Sequence, residues 1–114
     1  MNERDESRLR DMLDETQKVQ RFIDGRKPTD LNGDEMLAYA VVRAIELIGE
    51  AASRVTPKTK DQYPHIAWKN IIGMRNRIIH DYNNVNLDIV WQVASRNLPE
   101  LAVQPAAILS PDQT

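Results

Sequence analysis

The chain has 114 residues, of which 41% are hydrophobic and 28% charged, with no cysteine and a formal net charge of −2. That length suits one domain with a single core, and the composition is that of a folded rather than a disordered chain. Without thiols there is neither a disulfide framework nor a thiolate metal site. The N-terminal stretch MNERDESRLR lacks the apolar core of a secretory signal. No apolar run approaches the roughly 18 residues needed to span a bilayer. A soluble, cytoplasmic protein is expected.

Apolar spacing predicts a first helix from Arg4 to Asp24, with Leu9, Met12, Leu13, Thr16, Val19, Phe22 and Ile23 on one stripe. Acid-before-base pairs four apart, Glu6 with Arg10 and Asp14 with Lys18, support its wet side. Gly25 and Pro28 end it. Asn32 with Glu35 has the spacing of a capping box for a second helix, whose stripe runs Leu37, Val41, Ala44, Ile48, Ala51 and Val55 until Pro57. Gly49, Ala51, Ala52 and Ser53 are small enough for a neighbouring helix to come close. Glu46 with Arg43 and Glu50 with Arg54 are expected as pairs within this helix.

The stretch TPKTKDQYPHIAW reads as a connector holding at most one short turn, with His65 helping to start a third helix from Ile66 to Asp81. NNVN breaks that helix, and Asn86 can cap a fourth beginning near Leu87, with Ile89, Val90, Val93 and Leu98 inward and Trp91 at the edge. Pro99 either kinks it or opens a short fifth helix. No segment reads as a strand. The expected fold is an all-α antiparallel bundle of four to five helices over residues 1–104, followed by a weakly held tail at 105–114.

From Arg54 to His80 six cations (Arg54, Lys58, Lys60, Lys69, Arg75, Arg77) face Asp61 alone, a local excess of +5 on an acidic chain. Such a field attracts phosphates over about 10 Å, although a solvated charged face is the simpler account. Within this stretch MRNRIIHDY, residues 74–82, puts a cation among isoleucines. At about 100° per residue, with Arg75 as origin, Trp68 lies near +20°, Ile71 near −40°, Ile72 near +60°, Ile78 near −60° and Ile79 near +40°. Arg75 thus falls in the middle of the apolar stripe. A guanidinium cannot shed its proton, so it needs a carboxylate such as Glu46 or Glu50, a wet interface, or a ligand anion. His80, four residues after Asn76, would share that helix side. An Arg and a His, the latter titrating at about pH 6.5, suit cleavage of a phosphodiester. The imidazole moves the proton, the Arg stabilises phosphate charge, and in RNA the 2′-hydroxyl is the nucleophile. Only His65 and His80 are available as imidazole ligands, so no metal site is expected, and no cofactor.

RNRIIHDY resembles the Arg-x4-His-x-Tyr motif of HEPN domains of the HepT-like group, and RDMLDE, IGEAASRV, IAWKNIIGMRNRIIHDY, VNLDIVW and LPEL extend the likeness along most of the chain. The resemblance implies a homodimeric helical bundle whose two motifs line one cleft. It implies a metal-independent endoribonuclease toxin of a type VII-like toxin–antitoxin pair, acting on RNA. Arg75 and His80 would then be catalytic, Asn76 and Tyr82 would support the motif, and a minimal nucleotidyltransferase antitoxin would adenylylate Tyr82. Arg77 and Lys69 are candidate RNA contacts, and Glu46 a candidate partner of Arg75. The competing account is a non-catalytic helical dimer that binds a nucleotidyltransferase or a nucleotide.

Overall fold

Asn2 opens the first helix: its side chain accepts from the Asp5 amide at 2.7 Å, satisfying one of the free N–H groups of the first turn. In this computed structural model, residues 1–81, 84–101 and 108–109 are described, apart from the side chains of His80, Asp81 and Asn84. Helix α1, Glu3–Ile23, buries Asp5, Leu9, Met12, Thr16 and Val19, residues three and four apart along one face. Gly25, at φ +71°, stops it in a backbone conformation that a side chain would strain.

The capping-box expectation fails one turn further on. Asn32 lies inside a short helix α2, Asp30–Gly33, and the cap of the next helix is Asp34, whose carboxylate accepts from the Leu37 amide at 3.1 Å. Asp34 wins because it immediately precedes the first turn and its charge complements the positive helix end. Helix α3, Glu35–Ser53, is the centre of the molecule, packed against α1 on one side. The connector contains α4, Pro57–Gln62, after which α5, Trp68–Ile78, also packs against α3.

The last bundle element begins at Asn86, whose side chain accepts from the Ile89 amide at 3.2 Å. Helix α6, Leu87–Gln92, continues through a π-helical stretch, Val93–Asn97, into helical residues 98–101. Pro99 therefore lies inside this helix and opens no separate fifth one. It has no N–H to donate, and the wider turn ahead of it relieves the crowding its ring would cause. Val90, Val93, Ala94 and Leu98 close the core against α1 and α5. Leu109, 2% exposed, joins the same core from the segment expected to be a loose tail. The all-α bundle expected from the sequence is the fold, with four long helical segments.

One departure matters for function. The third expected helix does not reach Asp81. It stops at Ile78, and Ile79–Asp81 forms a short strand β1, antiparallel to β2, Asn84–Val85, with Ile79 opposite Val85 and Asp81 opposite Asn84. β-branched Ile79 and Val85 suit a cross-strand pair, and an aspartate at the negative end of a helix would oppose its dipole.

Candidate active site

Helix α5 is short, and its buried residues are Ile71, Met74 and Ile78. Met74 lies about −100° from Arg75 on a helical wheel, so the true apolar centre is rotated away from the arginine. The expectation that Arg75 sits mid-stripe is thus corrected: its side chain is 56% exposed, at the border where α5 meets α3. Arg75 and Arg77 occupy the last turn, where a cation also complements the helix dipole.

The border is shaped by Gly49. A β-carbon there would lie 3.3 Å from the Ile71 carbonyl oxygen and 3.4 Å from that of Ile72, so the missing side chain lets the α5 backbone press against α3. The small residues seen in the sequence do what their size suggests. Above this contact opens a cleft of about 300 Å³ lined by Arg43, Glu46, Gly49, Glu50, Ser53, Ile72 and Arg75. Glu46 does not pair with Arg43 as its helical spacing suggests. Instead Arg75 Nε donates to its Oε2 at 3.4 Å, a long and largely electrostatic contact. Glu50 does pair with Arg54, at 3.0 Å. Two of the six cations in the basic stretch are therefore faced by α3 carboxylates, and the local field is weaker than the sequence count implies.

Asn76, Arg77 and Lys69 are all exposed on α5. Lys69 and Asn76 share a side of the helix, at about +120° and +100° from Arg75, while Arg77 is on the far side at about +200°. His80 belongs to β1, so it is not on the helical face of Asn76 as expected: Ile79 turns the backbone to φ −110°, ψ 111°. The His80 side chain and all of Tyr82 lie outside the described residues. The chain beyond the strand pair is tied back by the Asn86 amide, which donates to the Ile78 carbonyl at 2.8 Å. Trp68 is half-buried and donates its indole N–H to the Tyr63 carbonyl at 3.1 Å, a packing role. Trp91 is likewise half-buried against the core. His65 is exposed and edge-on to Tyr63, and the residue capping α5 is Ala67 rather than His65.

Sequence reasoning missed Asp5. It is 1% exposed, and its carboxylate accepts from the Thr56 amide at 3.1 Å, the Thr56 hydroxyl at 2.6 Å and the Thr59 hydroxyl, clamping α1 to the start of α4. Burial pushes this carboxyl up, but the hydrogen bonds from Thr56 and Thr59, with the N-terminal charge, outweigh it and hold the pKa below its ordinary 3.8. A lone Asp among the charges of DESRLR carries no sequence signal of burial. Lys18 was also assigned the wrong acid: it pairs with Glu15 at 2.6 Å rather than with Asp14.

The fold is thus an all-α bundle with an exposed arginine beside a hydroxyl- and carboxylate-lined cleft. Comparison with known proteins narrows the class. The profile of the ribonuclease HepT-like family matches residues 12–108. Among the proteins similar to the chain are several named "Putative RNase", two of which illustrate the likeness. One, from Methanocaldococcus jannaschii, is 33% identical over 82% of this chain and 77% of its own length. The other, from Caldanaerobacter subterraneus, is 32% identical over 92% of this chain and 94% of its own. "Probable ribonuclease HepT" of Thermococcus cleftensis is 29% identical over 82% of this chain and 84% of its own. No solved structure matches the chain significantly. The chain belongs to the ribonuclease HepT-like family and is by that membership a ribonuclease. Among the described residues, no helix is long and apolar enough to cross a membrane.

Proposed function

We propose that the chain is a metal-independent endoribonuclease toxin acting in the cytoplasm as a homodimer, with Arg75 and His80 as its catalytic groups. The observation that carries this reading is the placement of Arg75. It is solvent-open, on a cleft, at the helix end that leads directly into the strand bearing His80, in a chain of a ribonuclease family. His80 takes the proton of a ribose 2′-hydroxyl. The 2′-oxygen then bonds to the adjacent phosphorus, the bond from phosphorus to the 5′-oxygen breaks, and that oxygen leaves with a proton returned from imidazolium. Arg75 stabilises the negative charge on the non-bridging oxygens. The products are a 2′,3′-cyclic phosphate and a 5′-hydroxyl. Asn76 orients the pair, and exposed Lys69 and Arg77 supply secondary contacts to the RNA backbone.

The same reading includes a control device. A minimal nucleotidyltransferase antitoxin transfers AMP to the Tyr82 hydroxyl, releasing pyrophosphate from ATP. The added bulk and charge repel a polyanion from the site. The purified dimer is expected to cut RNA in EDTA with cyclic phosphate ends, and His80→Ala to abolish cutting while remaining folded. Equal residual cutting by both proteins would return the chain to the non-catalytic dimer that binds a nucleotidyltransferase. Intact-protein and peptide mass spectrometry after incubation with the antitoxin should find AMP on Tyr82, and an adduct confined to another residue would remove that tyrosine from the scheme.

A further inference from the structure

Glu46 stands where an RNA site would be better off without it. An acid beside the phosphate-binding cation repels the substrate and cancels part of that cation's charge. Yet Glu46 is 27% exposed against 56% for Arg75, so the carboxylate is the better-held member of the pair and the arginine the freer one. The contact runs through Arg75 Nε. A carboxylate drawn to Nε leaves the end edge of the guanidinium, formed by the two terminal amino groups, free to match two phosphate oxygens. Without that carboxylate, a half-exposed arginine head samples many rotamers and loses that freedom on being fixed against a phosphate. Arg43, exposed on the same cleft and without an ion-pair partner among the described residues, returns positive charge to the cleft.

We propose that Glu46 is a positioning residue: it fixes the orientation of Arg75 so that the two Nη groups face the scissile phosphate, at the expense of ground-state RNA affinity. This rests on the ribonuclease reading above. Its signature is a split in kinetics. Measured with a mixed-sequence fluorophore–quencher oligoribonucleotide, Glu46→Ala should lower kcat by roughly tenfold to a hundredfold. KM should stay the same or fall, because a repelling charge has gone. Glu46→Gln keeps an acceptor oxygen at the same reach and should recover part of kcat, and its matched volume keeps the test alive if the alanine variant folds poorly. Both should melt at the wild-type temperature, and Glu15→Gln, which removes an acid from α1, should change neither constant. Glu46→Ala with wild-type or higher kcat would overturn the proposal, as would a loss of kcat that tracks a loss of thermal stability and is not recovered by Gln. Arg75→Ala, run alongside, separates the two levels. If it is inactive while Glu46→Ala is fully active, only the positioning role falls. If it cuts like wild type, the assignment of the site falls with it.

Discussion

Two carboxylates, Asp5 and Glu46, each join a pair of helices, and they do so in opposite ways. Asp5 is dry, and its acceptors are filled by an amide and two hydroxyls at the junction of α1 and α4. Glu46 is partly wet and meets one charged group, loosely, at the junction of α3 and α5. A buried charge must be satisfied by fixed neighbours, because leaving any of them out costs the full desolvation penalty. An exposed ion pair contributes about 0 to 1 kcal/mol, and its cation remains available to something else. The first arrangement holds the fold together and the second keeps a cation in reserve.

That contrast can be broken at several points. Arg75→Ala should show the largest effect: RNA cleavage down by at least about a hundredfold, the loss expected for a charge-stabilising group, with melting nearly unchanged. A large drop in stability would mean that Arg75 belongs with Asp5 among the structural charges. Asp5→Ala should do the reverse. It strands the Thr56 and Thr59 donors and should cost about 3 kcal/mol in denaturant unfolding, with cleavage intact under conditions where the variant is folded. Because the folded-state pKa of Asp5 is lowered, the unfolded chain takes up this proton more readily. Its stabilisation is therefore complete above about pH 3.8 and is lost as pH falls below that value. Acid unfolding of wild type should lose this contribution, and that of Asp5→Ala should not. Gly49→Ala tests the scaffold between the two. Alanine favours a helix by up to about 1 kcal/mol, but here its methyl meets two backbone carbonyls that cannot swing aside. A net loss of about 1 kcal/mol is expected, with cleavage reduced because α5 carries Arg75 outward with it. A stabilised, fully active variant would show that the close approach is dispensable.

Much of this was readable from the residues. The α1 stripe, the Gly25 stop, the Asn86 cap and the Glu50–Arg54 pair are local, and local patterns survive folding. The small face of α3 was legible because only a close neighbour makes Gly49 useful. What escaped depends on choices among near-equals. Asn32 and Asp34 both precede the helix, and Asp14 and Glu15 both reach Lys18. Only the packed backbone decides between them. The end of α5 was missed because Ile78 and Ile79 extend a helical pattern, whereas the short strand that competes with it needs Val85, several residues on, to become visible. Arg75 was recognised as unusual for a reason that proved inaccurate: it is not buried among isoleucines but borders them. Met74, left out of the wheel, was the residue that shifts the centre. Glu46, 29 positions from Arg75, was a candidate only because the cation demanded an acid, whereas the hydrogen-bond donors to Asp5 lie 51 and 54 positions away and no period in a single sequence connects such distances.

Leu109 has a practical consequence. It is 2% exposed and lodged in the core shared by the bundle helices, well past the point where the sequence suggests the domain could be trimmed. A gene shortened at codon 104 would discard a leucine worth about 1.5 to 3 kcal/mol of apolar burial and uncover the surface beneath it. Affinity handles or reporters fused to this end should therefore start beyond the leucine, leaving the clasp in place.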